Sequence, residues 1–303
     1  MSWGGWSIQI PFLYVAIAAV LYWVGSRRHS RAAPQRLRTA SFAAGLATIV
    51  IALQSPIDGY ADQLFWVHML QHVLLLTVAP PLILLGRPWP RMWQGLPIET
   101  RTRIGRTLAH GRFTAPLRRL ARPVPAWVLF NATILAWHIP AAYNATLSSY
   151  AIHDAEHAMF FFTGLLFWAR VIDPGPLRPR LVWPLRIAYV LGAMVVGWVL
   201  AIVLVLDPHP LYTPYAALAH RPGGITALTD QQLAGGVMWV LGSLTYGVTL
   251  LVGIYRWLEP DAEPRGSVAM PLPVPDEGPR SPTPALAIEP VGDPEPPTPA
   301  LTH

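Results

Sequence analysis

Phe65-Trp66-Val67-His68-Met69-Leu70-Gln71-His72 opens an apolar run that continues to Leu85. The run is long enough for a helix that crosses a bilayer, which needs roughly 20 apolar residues. His68 and His72 are four residues apart, so they lie on one face of that helix, about one turn from each other. Ionisable side chains inside a membrane segment are costly, and they mark functional sites. The stretch therefore predicts a transmembrane helix with a functional site near its N-terminal end.

The composition extends this prediction to most of the chain. Of 303 residues, 53% are hydrophobic and only 13% are charged, which is too apolar for an ordinary soluble domain. We predict an all-α polytopic membrane bundle of about seven transmembrane helices. The seven apolar runs cover residues 8–24, 39–53, 64–85, 125–138, 151–172, 183–206 and 233–258.

The end of the chain has a different composition. We predict a transmembrane domain over residues 1–258, followed by a tail over 259–303 that is rich in proline, acidic and small residues. Such segments cannot bury enough apolar surface to fold. We therefore expect the tail to be disordered and to lie in the cytoplasm.

The basic residues indicate how the helices are oriented. All 22 are arginine, and they are concentrated in alternate connectors, above all in residues 87–122, whereas residues 139–150 carry no charge. The positive-inside rule places the arginine-rich connectors in the cytoplasm and the N-terminus outside. We therefore predict a multi-pass protein of the cell's inner (plasma) membrane. The net charge of +6 then reflects topology, and nucleic acid is not expected as a partner.

This topology collects seven of the ten histidines on the outer side. His153 and His157 repeat the four-residue spacing at the start of the fifth run, and His138 ends the fourth run before Pro140. His209 and His220 fall in the sixth connector. Neutral imidazole is the commonest protein ligand for metals, and two rings on one helix face can hold one ion. The outer ends of the third, fourth and fifth helices are thus predicted to form a metal site.

The other donors narrow the choice of metal. There is no cysteine, so a soft metal would be held by histidine and methionine alone. Thioether sulfur would favour Cu(I), and it is offered by Met69, Met159 and Met238. Carboxylates that could orient the imidazoles from a second sphere are those of Asp62, Asp154, Glu156 and Asp207. Without a metal, the same histidines would bond to backbone carbonyls or water.

Two other metal chemistries remain open at this site. His153-Asp154-Ala155-Glu156-His157 matches H-x-x-E-H, the inverted zinc-protease motif, in which two histidines bind zinc and the glutamate acts as base. Such an enzyme would need a third ligand and an open position for water. Transmembrane histidines can also ligate haem. A retinal pigment is excluded because its Schiff base needs a lysine, and the chain has none.

Four blocks of sequence follow one another along the membrane body. The first is His68-Met69-Leu70-Gln71-His72 with Ala79-Pro80-Pro81-Leu82 and Leu85-Gly86-Arg87-Pro88, and the second is Trp137-His138-Ile139-Pro140-Ala141-Ala142-Tyr143. The third is His153-Asp154-Ala155-Glu156-His157 running to Phe167-Trp168, and the fourth is Asp230-Gln231-Gln232-Leu233-Ala234-Gly235 before Met238-Trp239. In this order the blocks resemble the CtaG-type cytochrome c oxidase assembly factors of bacteria. The resemblance covers most of the membrane body, roughly residues 42–258.

The resemblance implies a non-enzymatic membrane protein that helps to build a haem–copper oxidase, by binding or delivering copper. Its partners would be oxidase subunits or another copper chaperone, within the lipid bilayer. The ligand set that it implies is His68, His72, His138, His153 and His157, with Asp230 and Gln231 as polar neighbours. A membrane zinc metalloenzyme and a metal-free assembly scaffold are the alternatives.

Overall fold

The structure, a computed structural model, describes residues 2–3, 6–7, 10–27, 33–109, 111–172 and 181–259. The predicted tail lies outside these residues, apart from Glu259. The described part is almost entirely helical. Its one sheet is a short antiparallel pair, β1 (Ser2–Trp3) and β2 (Trp6–Ser7). The all-α prediction is confirmed.

Each of the seven apolar runs contains a helix. The helices are α1 (Ile10–Ser26), α2 (Ala33–Gln54), α3 (Pro56–Ala61), α4 (Phe65–Val73), α5 (Ala79–Leu85), α6 (Pro88–Gly95), α7 (Ile98–Ala109), α8 (Gly111–Leu120), α9 (Pro123–Trp137), α10 (Pro140–Ser148), α11 (Tyr150–Ile172), α12 (Trp183–Leu206), α13 (Thr213–Ala216) and α14 (Ala227–Leu258). A π-helical turn, Leu74–Val78, joins α4 to α5, and a 3₁₀ turn, Pro222–Gly224, precedes α14.

Five helices in the described residues are long and apolar enough to cross a membrane, and a sixth span results if a bent pair is counted as one. The five are residues 35–54, the continuous Phe65–Leu85, α11, α12 and α14. The remaining apolar run forms α1, which is shorter than a span. The structure therefore supports a polytopic bundle with five or six spans among the seven predicted runs.

The bent pair is α9 with α10, whose axes differ by 73°. Ile139 lies between them with an extended backbone (φ −64°, ψ 127°), as expected for a residue before proline. Pro140 then starts α10, where its missing N–H removes no helical hydrogen bond. The bend leaves His138 at the C-terminus of α9.

The π-helical turn lies just before Pro80 and Pro81. Proline has no N–H, so neither residue can donate to a carbonyl of the preceding turn. The carbonyl of Leu76, four residues before Pro80, instead accepts a 3.0 Å hydrogen bond from the indole of Trp168 on α11. Gly164 lets the two helices approach closely, since a Cβ there would lie 2.9 Å from the Leu76 oxygen.

Aromatic side chains pack between the helices in the interior of the bundle. Phe130 stacks on Phe167 with ring centroids 4.1 Å apart, and Trp168 stacks on Tyr246 at 5.7 Å. These residues belong to one buried cluster that joins α9, α11, α12 and α14. A second cluster joins α1, α2 and α5. The exposed faces of α12 and α14 carry apolar side chains such as Val199 and Leu251, which suits contact with lipid.

Candidate metal centre

Three helix termini bring together all five histidines of the predicted ligand set. His68 and His72 come from α4, His153 and His157 from α11, and His138 from the end of α9. Ring centroids within each pair are 4.5 Å apart for α4 and 4.2 Å for α11. Across the helices, His68 lies 5.0 Å from His153, and His72 lies 6.2 Å from His138. We call this group the imidazole cluster.

Glu156 lies at the centre of the imidazole cluster and is fully buried. Its Oε2 is 3.5 Å from Nε2 of His68 and 3.6 Å from Nε2 of His72. Residues three and four apart share a helix face, so Glu156 points the same way as His153 and His157 on α11. The sequence predicts a second-sphere or base role for this carboxylate, whereas in the structure it faces the imidazoles directly.

Four of these side chains can converge on one ion. His68, His153, Glu156 and His157 each offer a ligand atom, and the four atoms all lie within 4.8 Å of one another. Three imidazoles and one carboxylate match the donor types that zinc, copper and iron accept. The spacing of H-x-x-E-H thus places its three polar residues together, with His68 as the fourth donor.

The polar atoms of the cluster are poorly satisfied. Among the described residues, buried atoms that make no hydrogen bond include Nε2 of His68, His153 and His157, both ring nitrogens of His72, and both carboxylate oxygens of Glu156. Buried polar groups in proteins are nearly always hydrogen-bonded. A bound cation would satisfy nitrogen lone pairs and carboxylate oxygens together.

Two tyrosines contact the opposite edge of His68. The hydroxyls of Tyr143 and Tyr215 lie 2.8 and 3.1 Å from its Nδ1. Burial raises the pKa of Tyr215 well above its usual range, so this phenol keeps its proton. The proton is donated to the carbonyl oxygen of Ala61 at 2.5 Å. The Tyr215 oxygen therefore faces Nδ1 as an acceptor. Tyr143 also hydrogen-bonds to Tyr215, and when it donates its proton to the Tyr215 oxygen, both phenol oxygens face Nδ1 as acceptors. This arrangement favours a proton on Nδ1 and a free lone pair on Nε2.

The remaining predicted carboxylates lie elsewhere. Asp230 is buried and accepts from the backbone N–H groups of Phe65 and Trp66, so it caps the helix that carries His68. Asp62 and Asp154 are exposed at the rim of the site. Asp207 bonds the backbone N–H of His209 in the connector.

The other polar side chains and the methionines singled out in the sequence are not members of the imidazole cluster. Gln231 stabilises the connector before α14, because its side-chain NH₂ donates to the carbonyls of Leu204 and His209. His209 and His220 are exposed and do not join the imidazole cluster. Of the three candidate methionines, Met69 contacts His138, Met238 packs nearby and Met159 is exposed. His29, His110 and His303 lie outside the described residues.

Tyr143 and Tyr215 were not identified as site residues from the sequence. Tyr143 lies inside a block that carries the family resemblance, but a tyrosine in an apolar helix gives no signal for a metal site. Tyr215 lies in a connector 147 residues from His68, and only the folded chain brings the two together.

Comparison with known proteins supports one assignment. Residues 20–259 match the family described as cytochrome c oxidase caa3 assembly factor (Caa3_CtaG). The chain is also 27% identical over 235 residues to uncharacterized proteins of Mycobacterium bovis and Mycobacterium tuberculosis, and 23% identical over 236 residues to one of Mycobacterium leprae. Each match covers 74% of this chain and 34% of the relative, so the chain spans about a third of the length of the relatives it matches.

No solved structure matches the chain significantly. The assignment therefore rests on the family match, which covers the transmembrane helices and every residue of the imidazole cluster. The chain belongs to the cytochrome c oxidase caa3 assembly factor family.

Proposed function

We propose that this protein assists the assembly of cytochrome c oxidase by binding copper at the imidazole cluster and passing it on. The recipient would be an oxidase subunit or another copper chaperone. The role would be non-enzymatic and would take place at the outer face of the cell's inner membrane. Membership of a family of oxidase assembly factors supports the assembly role.

One observation carries the copper assignment. A fully buried carboxylate, Glu156, lies among imidazoles whose inward nitrogens make no hydrogen bond within the described part of the chain. A buried negative charge in a membrane protein needs a positive partner. A metal ion would supply that charge and would use the nitrogen lone pairs as ligands.

The donor set suits a metal that has to be released. Thiolates hold copper tightly, and the chain has none because it lacks cysteine. Imidazole and carboxylate donors hold it less tightly. A transfer protein needs such a site, since the metal is cargo that leaves with the partner.

The direct test is the metal content of the full-length protein, purified in detergent and loaded with copper or zinc. A variant with His68, His72, His153 and His157 changed to Ala should lose bound copper. A control variant with the exposed His209 and His220 changed to Ala should keep it. Copper retained after loss of the four paired histidines would contradict the proposal.

A zinc hydrolase is the second candidate, favoured by the meeting of His153, Glu156 and His157 with a third imidazole. Glu156→Gln separates the two functions, because a hydrolase would lose its base while its histidines still bound zinc. The copper proposal predicts weaker metal binding in Glu156→Gln and no hydrolysis by the wild type. Zinc bound in preference to copper, with hydrolytic activity, would favour the enzyme.

A metal-free scaffold makes a different prediction in cells. If copper transfer is the function, cells carrying the four-histidine variant should contain less active oxidase at equal levels of the membrane protein. The His209 and His220 control should support normal oxidase. Normal oxidase with the four-histidine variant would favour the scaffold.

A further inference from the structure

His138 has a defined tautomer. Its Nδ1 lies 2.8 Å from the carbonyl oxygen of Ile134. A carbonyl oxygen only accepts hydrogen bonds, so Nδ1 carries the proton, and Nε2 of the neutral ring carries a lone pair. Tyr212 fixes the backbone of the same residue, since its hydroxyl donates to the His138 carbonyl oxygen at 3.0 Å. Two backbone contacts thus set the direction of the Nε2 lone pair.

That lone pair faces the thioether of Met69, with 3.3 Å between Nε2 and Sδ. Thioether sulfur has no hydrogen to donate, so two acceptors face each other. Both side chains are buried, with 7% of His138 and 0% of Met69 exposed. Protonation of the ring would supply a hydrogen, but an added charge in an apolar site is costly. A metal ion bound by both atoms removes the conflict.

We infer that Nε2 of His138 and Sδ of Met69 form a second metal position that takes Cu(I), separate from the position formed by His68, His153, Glu156 and His157. Imidazole with thioether, and without a carboxylate, selects a soft ion. With bond lengths of about 2.0 and 2.3 Å, taken from zinc, two such donors on one tetrahedral ion lie about 3.5 Å apart, close to the separation seen here. The inference rests on the proposed function and adds to it a second position at which the protein binds copper.

His72 lies between the two positions. Its ring centroid is 6.2 Å from that of His138, and its Nε2 is 3.6 Å from the Glu156 carboxylate. Neither of its ring nitrogens makes a hydrogen bond among the described residues, although both are buried. Met69 and His72 are three residues apart on α4, so they point to neighbouring directions. His72 is therefore placed to bind metal at both positions, so the variant that lacks His68, His72, His153 and His157 should lose copper from the second position as well as from the first.

The experiment uses the full-length protein in detergent, loaded anaerobically with Cu(I), and a Met69→Leu variant. Leucine fills about the same volume, so the fold should be retained. The control is Met194→Leu, which changes a buried methionine of α12 that belongs to the aromatic cluster. Cu(I) affinity is measured by competition with a chromophoric chelator, and the ligands by X-ray absorption at the copper edge.

The wild type and Met194→Leu should both show sulfur bound to Cu(I). Met69→Leu should lose that signal, and its Cu(I) affinity should fall by more than the roughly 10- to 100-fold that loss of an outer-sphere partner causes. Its zinc affinity at His68, His153, Glu156 and His157 should stay as in the wild type. This last measurement shows that the imidazole cluster is still folded.

Two results would overturn the inference. Cu(I) bound by the wild type through nitrogen and oxygen alone would exclude Met69, and the proposed function would stand. Equal Cu(I) affinity in Met69→Leu and the wild type would also exclude Met69 as a ligand, and the proposed function would again stand. A wild type that binds no copper in either oxidation state would overturn the proposed function as well.

Discussion

Tyr215 shows how a residue outside the ligand set can prepare a ligand. Its hydroxyl donates to the Ala61 carbonyl and faces Nδ1 of His68, so a proton on Nδ1 is favoured and Nε2 is left free. Histidines that bind metal commonly have their second nitrogen fixed in this way. Tyr143 contacts the same nitrogen from α10. We regard Tyr215 as a positioning residue for the proposed copper site.

Tyr215→Phe removes this hydroxyl without removing the ring. We expect copper affinity to fall by about 10- to 100-fold, because His68 loses the contact that favours its metal-binding tautomer. Tyr246→Phe is the matched control, since Tyr246 is about as buried as Tyr215 and its ring contacts Phe167 and Trp168. Equal copper affinities for the two variants would contradict the positioning role.

Copper binding should weaken in acid. A protonated imidazole has no free lone pair, so each ring that binds metal must first lose its proton. We expect the copper affinity of the wild type to fall as the pH is lowered far enough to protonate the ligand imidazoles. Titration of bound copper against pH measures this. A copper affinity that stays constant down to the lowest pH at which the protein remains folded would argue against imidazole ligands.

At the scale of elements, two contacts fix the helix that carries His68 and His72. Asp230, from α14, caps its first turn by accepting from two backbone N–H groups, each at 3.0 Å. The negative charge is also favourable at a helix N-terminus. Near the middle of the span, the indole N–H of Trp168 donates to the Leu76 carbonyl, which receives no hydrogen bond from the two prolines. Both contacts come from neighbouring helices.

Asp230→Asn replaces one accepting oxygen by an NH₂ group, which cannot accept from the backbone. We expect a loss of about 1–3 kcal/mol in the free energy of unfolding, because a buried N–H group of Phe65 or Trp66 loses its acceptor. Asp207→Asn, in the connector, should change it by about 0.5 kcal/mol or less. Thermal unfolding in detergent measures both variants. Similar stabilities for the two would show that the cap contributes little.

Trp168→Phe removes the indole N–H that bonds the Leu76 carbonyl. We expect a loss of about 1–3 kcal/mol beyond the cost of the smaller ring, since a buried carbonyl is left without a donor. Trp137→Phe is the comparison, because the Trp137 indole nitrogen is buried and makes no hydrogen bond within the described chain. If Trp137→Phe destabilises the protein as much, the Leu76 contact is not the cause.

For the whole molecule, the polar side chains divide between the two ends of the bundle. One end holds the imidazole cluster, Asp230 and the Tyr215 connector. The other holds Arg91, which is buried and donates to Tyr22, Gln35 and the carbonyl of Gly86. The arginine-rich segment α7–α8 follows that end in the chain. This separation agrees with the proposed orientation, in which the histidines face outward.

Reporter fusions test the orientation. A reporter that works only outside the cytoplasm should be active when fused after Ser149, and inactive when fused after Arg122. A reporter that works only in the cytoplasm should give the reverse pattern. Outside activity after Arg122 would invert the topology and place the imidazole cluster at the cytoplasmic face.

The class of protein and the local geometry of the histidines could both be predicted from the sequence. Membrane helices follow from the length and hydrophobicity of the runs, and His68 with His72 share a face because the helix repeats every 3.6 residues. These are local properties of a chain, so they can be predicted without knowing the partners. The His138 terminus was predictable for the same reason, since Pro140 ends the helix.

Which groups face one another depends on the tertiary packing of the helices. Glu156 points into the cluster while Asp62 and Asp154 are exposed, and Asp230 caps a helix instead of orienting a ring. Tyr215 reaches His68, and Met69 meets His138, across long stretches of sequence. Such contacts depend on how whole helices rotate and pack, and no local pattern records that rotation. Packing of distant helices is therefore what turns five predicted histidines into a candidate site.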